Sequence, residues 1–105
     1  MLHPFLHDKL PEIKNILMHH HVTSAYAFGS VCTDSFNENS DVDLLVNLDD
    51  ELDPVVRGGL LWNVWDALEK ILNRKVDLLT ERSLTNPYFI EELNEKKILL
   101  YGKKN

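Results

Sequence analysis

Two aspartates at alternate positions, Asp41 and Asp43, are the residues of this chain best suited to chemistry. They open the segment S-D-V-D-L-L-V, whose apolar residues predict a β-strand. Alternate residues of a strand project from the same face, and their Cα atoms lie roughly 6.5–7 Å apart. That spacing suits two carboxylates converging on metal ions about 3.5–4 Å apart. We therefore interpret the pair as metal ligands of the kind that phosphoryl and nucleotidyl transfer use.

A glycine–serine pair, Gly29 and Ser30, lies just upstream, where an apolar run ends. A glycine turn with free backbone N–H groups, leading into a helix start, can receive phosphate oxygens. We therefore predict that Gly29 and Ser30 bind the phosphates of a nucleotide.

Asp77 is a third acid within an apolar segment, K-V-D-L-L. If its strand lies beside that of Asp43, three carboxylates meet, and a divalent cation is the natural compensation for their repulsion. Oxygen-only ligands favour Mg²⁺ or Mn²⁺ over zinc. We expect Asp41 and Asp43 to hold the metal that binds a nucleoside triphosphate, and Asp77 to contact a second metal and act as general base. The alternative is that all three acids merely lie at strand ends in water.

Strands and helices alternate along the chain and must position these residues. Four strands are predicted, at residues 22–28, 41–48, 75–79 and 98–101. Helical periodicity covers residues 4–20, where Pro11 favours a main helix that begins near Leu10. The strongest helical pattern runs from Pro54 to Leu72, and Asn86-Pro87 opens a short helix. This alternation predicts an α/β (α+β) fold, a small mixed sheet flanked by helices in two or three layers.

Three features of this pattern have alternative readings. Gly58-Gly59 interrupts the long helical pattern, either to permit close backbone contact or to mark a break. Trp62 and Trp65 on the same helix could stack on an adenine base, although packing in the core or against a partner is the favoured use. His19-His20-His21 could bind metal, but consecutive helical residues point in different directions, which favours histidines near a helix C-terminus.

The bulk composition describes one small domain, residues 1–105, with an ordinary 44% of hydrophobic residues. No apolar run approaches the roughly 20 residues that a membrane span needs, and the N-terminus lacks a signal-peptide pattern. The lone Cys32 favours a reducing compartment, hence the cytoplasm. A net charge of −6 argues against broad nucleic-acid binding, despite the basic tail at residues 102–105. It fits a protein that holds cations or docks onto a basic partner, although solubility alone would also explain it.

The spaced set Gly29-Ser30, Asp41-x-Asp43 and Asp77 resembles the DNA polymerase β-type nucleotidyltransferase superfamily, and in particular its minimal nucleotidyltransferase branch. The similarity runs over about residues 6–101. The resemblance implies that Gly29 and Ser30 contact the triphosphate and that Asp41, Asp43 and Asp77 form the metal-binding and catalytic set. Many members carry an arginine directly after Gly-Ser, where this chain has Val31.

The same resemblance implies a context. Minimal nucleotidyltransferases are often the antitoxin of a pair with a helical HEPN-type toxin, and they transfer AMP from ATP to a toxin tyrosine with Mg²⁺. Two alternatives remain: an antitoxin that neutralises its partner by occlusion without chemistry, and a nucleotidyltransferase for a small molecule such as an aminoglycoside. The absence of a substrate domain in this sequence disfavours the second alternative.

Overall fold

A computed structural model describes residues 1–102, and the basic tail from residue 103 onwards lies outside the described part. Four α-helices alternate with the strands: α1 (Pro4–His7), α2 (Leu10–His19), α3 (Pro54–Leu72) and α4 (Pro87–Lys96). The strands are β1 (Val22–Phe28), β2 (Val42–Leu48), β3 (Val76–Leu79) and β4 (Ile98–Gly102). Short 3₁₀ helices follow β1 and β3, at Gly29–Cys32 and Glu81–Ser83.

The helix boundaries follow from local chemistry. Each helix has a proline in its first turn, where a missing N–H costs nothing. The side chains of Asp53 and Asn86 accept hydrogen bonds from backbone N–H groups of α3 and α4. The prediction that the main N-terminal helix begins at Leu10 is confirmed. Helix α3 continues unbroken through Gly58 and Gly59, so the pair does not mark a break.

The four strands form one mixed sheet in the order β3-β2-β1-β4. Strand β1 is antiparallel to both β2 and β4, whereas β2 and β3 are parallel because α3 connects them as a crossover. The predicted β1 is confirmed to the residue. The other three strands match within one residue at either end.

Helices cover both faces of the sheet, so the arrangement has three layers. On one face, α1, α2 and α3 bury the larger core, which includes Leu6, Leu17, Leu44 and Leu68. On the other face, Leu93 of α4 packs against Tyr26 and Leu45. Burial of this apolar area is the main stabilising contribution to the fold. Among the described residues, no helix combines the length and apolar character needed to cross a membrane.

Candidate active site

The register of the parallel pair brings two of the predicted acids together. Asp43 of β2 lies directly opposite Asp77 of β3, and Asp41 immediately precedes β2. By strand alternation, Asp43 projects from the same face as Leu45, which α4 covers. Phe89 of α4 packs against Phe28, the residue that pairs with Asp43, so the acids lie beside the area that α4 covers. Asp41 and Asp77 remain 41% and 48% exposed there.

Gly29 lies against the carboxyl group of Asp43. Phe28 pairs with Asp43 across the antiparallel strands, and the chain then turns at Gly29 with φ +74°, a conformation that L-residues rarely adopt. A Cβ built on Gly29 would overlap Oδ2 of Asp43. The turn continues as a 3₁₀ helix, in which the Ser30 carbonyl accepts hydrogen bonds from Thr33 N–H (2.9 Å) and Thr33 Oγ1–H (2.8 Å). The predicted phosphate-binding pair therefore adjoins the predicted metal ligands.

Val31, the residue directly after the Gly29-Ser30 pair, contributes to the core. Its side chain is fully buried in the larger cluster, and its carbonyl accepts a 2.8 Å hydrogen bond from His3 N–H. This residue therefore ties the N-terminal segment to the turn that holds Gly29 and Ser30. Its side chain is not available to a phosphate group.

The electrostatics of the site centre on Asp43. Burial raises the pKa of its carboxyl to about 6, with further contributions from a hydrogen bond with Asp77 and from the charges of Asp77 and Asp41. The Lys75 ammonium lies 3.8 Å from Asp41 Oδ2 and 3.9 Å from Asp77 Oδ1. All three of these side chains are well exposed, so each contact contributes little stability. The site has more negative charge than one lysine offsets.

The donor set suits a divalent cation that prefers oxygen. Within residues 1–102, no three His, Cys, Asp or Glu side chains are grouped so that they could hold a metal ion as they stand. However, Asp41, Asp43 and Asp77 all offer carboxylate oxygens, the ligands that Mg²⁺ and Mn²⁺ prefer. The pKa of Asp43 is raised, which means that its ionised form is disfavoured. A nearby positive charge would stabilise that ionised form.

A cavity of about 490 Å³ adjoins the acids and is lined by Phe28, Asp43, Trp65, Asp77, Leu78 and Leu79. This combination of apolar walls and a few polar groups is typical of sites for small ligands. A cavity of about 510 Å³ lies at the opposite end of the sheet, near Asn47 and Arg57. We place the active site at the acids, because the second cavity has two arginines balanced by two acids and none of the predicted catalytic residues.

Trp65 and Glu69 of α3 position the strand that carries Asp77. The Trp65 indole N–H donates a 2.8 Å hydrogen bond to the Val76 carbonyl, and Val76 N–H donates to Glu69 Oε2 at 3.0 Å. These bonds satisfy the outer backbone groups of an edge strand. From the sequence we favoured a packing role for Trp65. Its ring packs against the core and also lines the cavity beside the acids. In the sequence, the only sign of this role was that Trp65 and Glu69 are four residues apart on a predicted helix that precedes the strand.

Arg74 was not identified from the sequence. Its Nη1 donates hydrogen bonds to the carbonyls of Asn37 (2.9 Å) and Ser40 (2.7 Å), in the loop that leads to Asp41. The guanidinium also lies over the rings of Phe5 and Phe36, 4.4 and 4.5 Å from their centroids. One side chain therefore connects the loop before β2, the N-terminal segment and the start of β3. A lone arginine outside any motif gives no sequence signal for this role.

The other sequence candidates lie away from the acids. His19 and His20 direct Nδ1 to the carbonyls of Asn15 and Ile16 on their own helix, as expected for residues near a helix C-terminus. Trp62 is 64% exposed and is absent from the lining of the acidic cavity. Burial raises the pKa of the half-buried Cys32 thiol, which leaves it less reactive.

The chain is similar to known proteins in both sequence and fold. The family model described as "Polymerase beta, Nucleotidyltransferase" matches residues 11–105. A protein of Methanocaldococcus jannaschii with the name "Putative protein adenylyltransferase" is 37% identical over 97 residues, covering 85% of this chain and 95% of that protein. Over 93% of this chain and 95% of its own, a solved minimal nucleotidyltransferase superposes with a TM-score of 0.69 and 28% identity.

Two solved toxin–antitoxin complexes also contain a similar chain. One is a toxin–antitoxin with AMP-PNP, with a TM-score of 0.70 and 25% identity over 90% of this chain and 74% of that one. The other is a tri-AMPylated Shewanella oneidensis HEPN toxin in complex with an MNT antitoxin. It has a TM-score of 0.61 and 22% identity, over 92% of this chain and 72% of that one, so it supports the fold alone.

Proposed function

The chain belongs to the polymerase beta nucleotidyltransferase family, and we propose that it transfers AMP from ATP to a tyrosine hydroxyl of a partner HEPN-type toxin. It would thereby act as the antitoxin of the pair, in the cytoplasm and as one minimal nucleotidyltransferase domain spanning residues 1–105. The name of the M. jannaschii relative supports protein adenylylation. The complex with AMP-PNP supports ATP as the nucleotide and a toxin as the partner.

The observation that carries this proposal is the convergence of Asp43, Asp77 and Gly29. Asp43 and Asp77 are opposite each other in the parallel register, and Gly29 has no side chain where the Asp43 carboxyl lies. Three sequence segments that are far apart along the chain thus lie next to one another, and Phe28, Asp43 and Asp77 line one cavity. This is the arrangement that transfer of a nucleotidyl group requires.

The division of roles follows from position. Asp41, Asp43 and Asp77 would hold Mg²⁺ or Mn²⁺, which supplies positive charge to the triphosphate when bound. Backbone N–H groups at Gly29 and Ser30 would orient the phosphates. The tyrosine oxygen attacks the α-phosphorus, the bond from that phosphorus to the oxygen bridging to the β-phosphate breaks, and pyrophosphate leaves. Asp77, half exposed at the cavity, would accept the proton of the hydroxyl.

Incubation with labelled ATP, Mg²⁺ and the toxin encoded beside this gene tests the proposal. We expect label on the toxin, and no label with the double variant Asp41→Ala/Asp43→Ala. Replacement of the modified tyrosine by phenylalanine should also abolish the label. Equal labelling by the wild type and the double variant would refute the catalytic role of these acids.

The second candidate function is neutralisation of the toxin by occlusion, without chemistry. One observation favours it: in the described residues, the acids are not grouped so that they could hold a metal ion as they stand. An Asp43→Asn variant separates the two functions in cells. Loss of protection against the toxin supports the enzyme, and full protection supports occlusion.

A further inference from the structure

Helix α3 has an exposed apolar face that no part of the described fold covers. Val55 and Trp62 are seven residues apart and therefore lie on one side of the helix, with Gly58 and Gly59 between them. Val55, Val56 and Trp62 are 83%, 51% and 64% exposed. We call the set Val55, Val56, Gly58, Gly59 and Trp62 the α3 seam.

The α3 seam has the shape of a helix-packing surface. A Cβ at Gly58 or Gly59 would meet nothing within 4 Å, so neither glycine is required by the packing inside this chain. Each costs helix stability relative to alanine, in the helix that connects β2 to β3. Two adjacent glycines on an exposed helix face leave a shallow groove, where a second helix can approach the backbone closely. Trp62 at one end supplies the large aromatic contact typical of binding hot spots.

The seam is continuous with the active site. The rings of Trp62 and Trp65 meet edge to face at 5.3 Å between centroids, and Trp65 lines the cavity that contains Asp43 and Asp77. A protein that covers Trp62 would therefore be separated from the cavity of Asp43 and Asp77 only by the side chain of Trp65. Such a position suits a protein that must present a hydroxyl group to the cavity.

The other end of the seam is acidic. Four exposed carboxylates precede or cap α3: Asp49, Asp50, Glu51 and Asp53. Only Asp50 among them has an ion-pair partner in the described residues, Arg82 at 2.9 Å. A helix lying along the seam would meet apolar surface in the middle and negative charge at this end. Charge complementarity then selects a helix with basic residues at one end.

From these features we propose that the α3 seam is the docking surface for the acceptor protein, which contributes one amphipathic helix with basic residues at the end that faces Asp49–Asp53. The inference rests on the proposed function in one respect, that the acceptor is the partner toxin. It adds the surface that the toxin occupies and the type of element that it inserts.

Gly59→Gln gives the sharpest test, because it affects folding and docking in opposite directions. The exposed helical position should accept glutamine with a gain in helix stability and a thermal midpoint about 2–4 °C higher. The same side chain would fill the groove, so we expect toxin affinity to fall by about tenfold or more in calorimetric titrations without ATP or metal. Trp62→Ala should weaken binding by a similar factor.

Tyr88→Ala is the matched control, because Tyr88 is an aromatic residue still more exposed than Trp62, 83% accessible, on α4 and outside the α3 seam. We expect its affinity for the toxin to stay within about twofold of wild type. Unchanged binding by Gly59→Gln and Trp62→Ala, or a large loss with Tyr88→Ala alone, would overturn the inference. So would a homodimer in light scattering that Gly59→Gln disrupts, since the seam would then be occupied by a second copy.

Failure of the proposed function gives a different pattern. If the wild type binds the toxin through the seam but transfers no AMP, the docking surface stands and the enzymatic proposal falls. If AMP transfer proceeds with unchanged affinity in Gly59→Gln, the enzyme stands and the docking surface falls. Hydrogen exchange on the toxin should show protection of one helix, and protection confined to loops would contradict the proposed element.

Discussion

Asp43 and Asp77 lie directly opposite each other in the parallel register of strands β2 and β3. Two carboxyl groups placed side by side repel each other when both are ionised, so the first to take up a proton does so at a higher pH. Burial, Asp77 and Asp41 together raise the pKa of Asp43 to about 6. This relationship makes both stability and ligand binding depend on the ionisation of one residue.

The first prediction concerns pH and the metal-free protein. The folded pKa of Asp43 is above its ordinary value of 3.8, so its contribution to stability is present below about pH 4 and is lost as pH rises through about 6. Relative to Asp43→Asn, the wild type should therefore lose roughly 1–2 kcal/mol between pH 4 and 7, after allowance for solvent screening. Urea unfolding of both proteins in EDTA measures this difference. Parallel pH profiles would contradict it.

The second prediction concerns added metal. A divalent cation at the acids lowers the pKa of Asp43 and stabilises the folded state by about 1.4 kcal/mol at ten times its dissociation constant. At pH 7, Mn²⁺ should therefore raise the thermal midpoint of the wild type. Asp43→Asn should lose this shift. Asp66→Asn, which removes an exposed acid paired with Lys70 on α3, should retain it.

The third prediction concerns Gly29. Alanine at this position would adopt an unfavourable positive φ and would displace the Asp43 carboxyl. We expect Gly29→Ala to cost about 1–3 kcal/mol of stability and to lower the rate of AMP transfer about a hundredfold or more. Gly58→Ala, at an open helical position, should instead gain about 0.5–1 kcal/mol. Unfolding titrations on both variants check the contrast in stability, and labelled-ATP assays on Gly29→Ala and the wild type check the loss of transfer.

The fourth prediction concerns Val31, the position at which the family resemblance led us to expect an arginine. Val31 is fully buried in this chain, so Val31→Arg would place a charge in the core without a partner. We expect a loss of about 3 kcal/mol or more in the free energy of unfolding, and no gain in activity. Val31→Ile, a smaller change in the same site, should cost less than about 1.5 kcal/mol. A stable and more active Val31→Arg protein would show that the turn can reposition this side chain.

The fifth prediction concerns Arg74 as a positioning residue. Arg74→Ala removes two hydrogen bonds to the loop before Asp41 and two cation–π contacts, at a cost of about 1–3 kcal/mol. The loop that positions the Asp41 carboxyl group is then no longer held in place. Mn²⁺ affinity should therefore fall as well, by roughly threefold to tenfold. Arg74→Lys keeps the charge but not the planar guanidinium that lies over Phe5 and Phe36, and we expect partial recovery. Arg82→Ala, which removes an exposed ion pair at the other end of the sheet, should leave Mn²⁺ affinity unchanged.

Much of this protein could be predicted from the sequence, because its key signals are local. The D-x-D spacing implies one face of a strand, the proline and asparagine residues mark helix starts, and the Gly29 turn follows an apolar run. The strands and helices were therefore predicted closely, and the site roles assigned to the acids and to the Gly29 turn stay predictions. The family resemblance rests on the same local spacing.

Other features depended on the tertiary structure, because they join residues that are distant along the chain. Only the pairing of β2 with β3 brings Asp77 opposite Asp43, 34 positions away. Arg74 acts on a loop more than 30 residues before it, and Val31 has a role in the core that no local pattern reveals. Exposure of the α3 seam likewise depends on which side of the helix the sheet covers. Local sequence determines the elements and their chemistry, whereas packing free energy and strand register decide which of those groups meet.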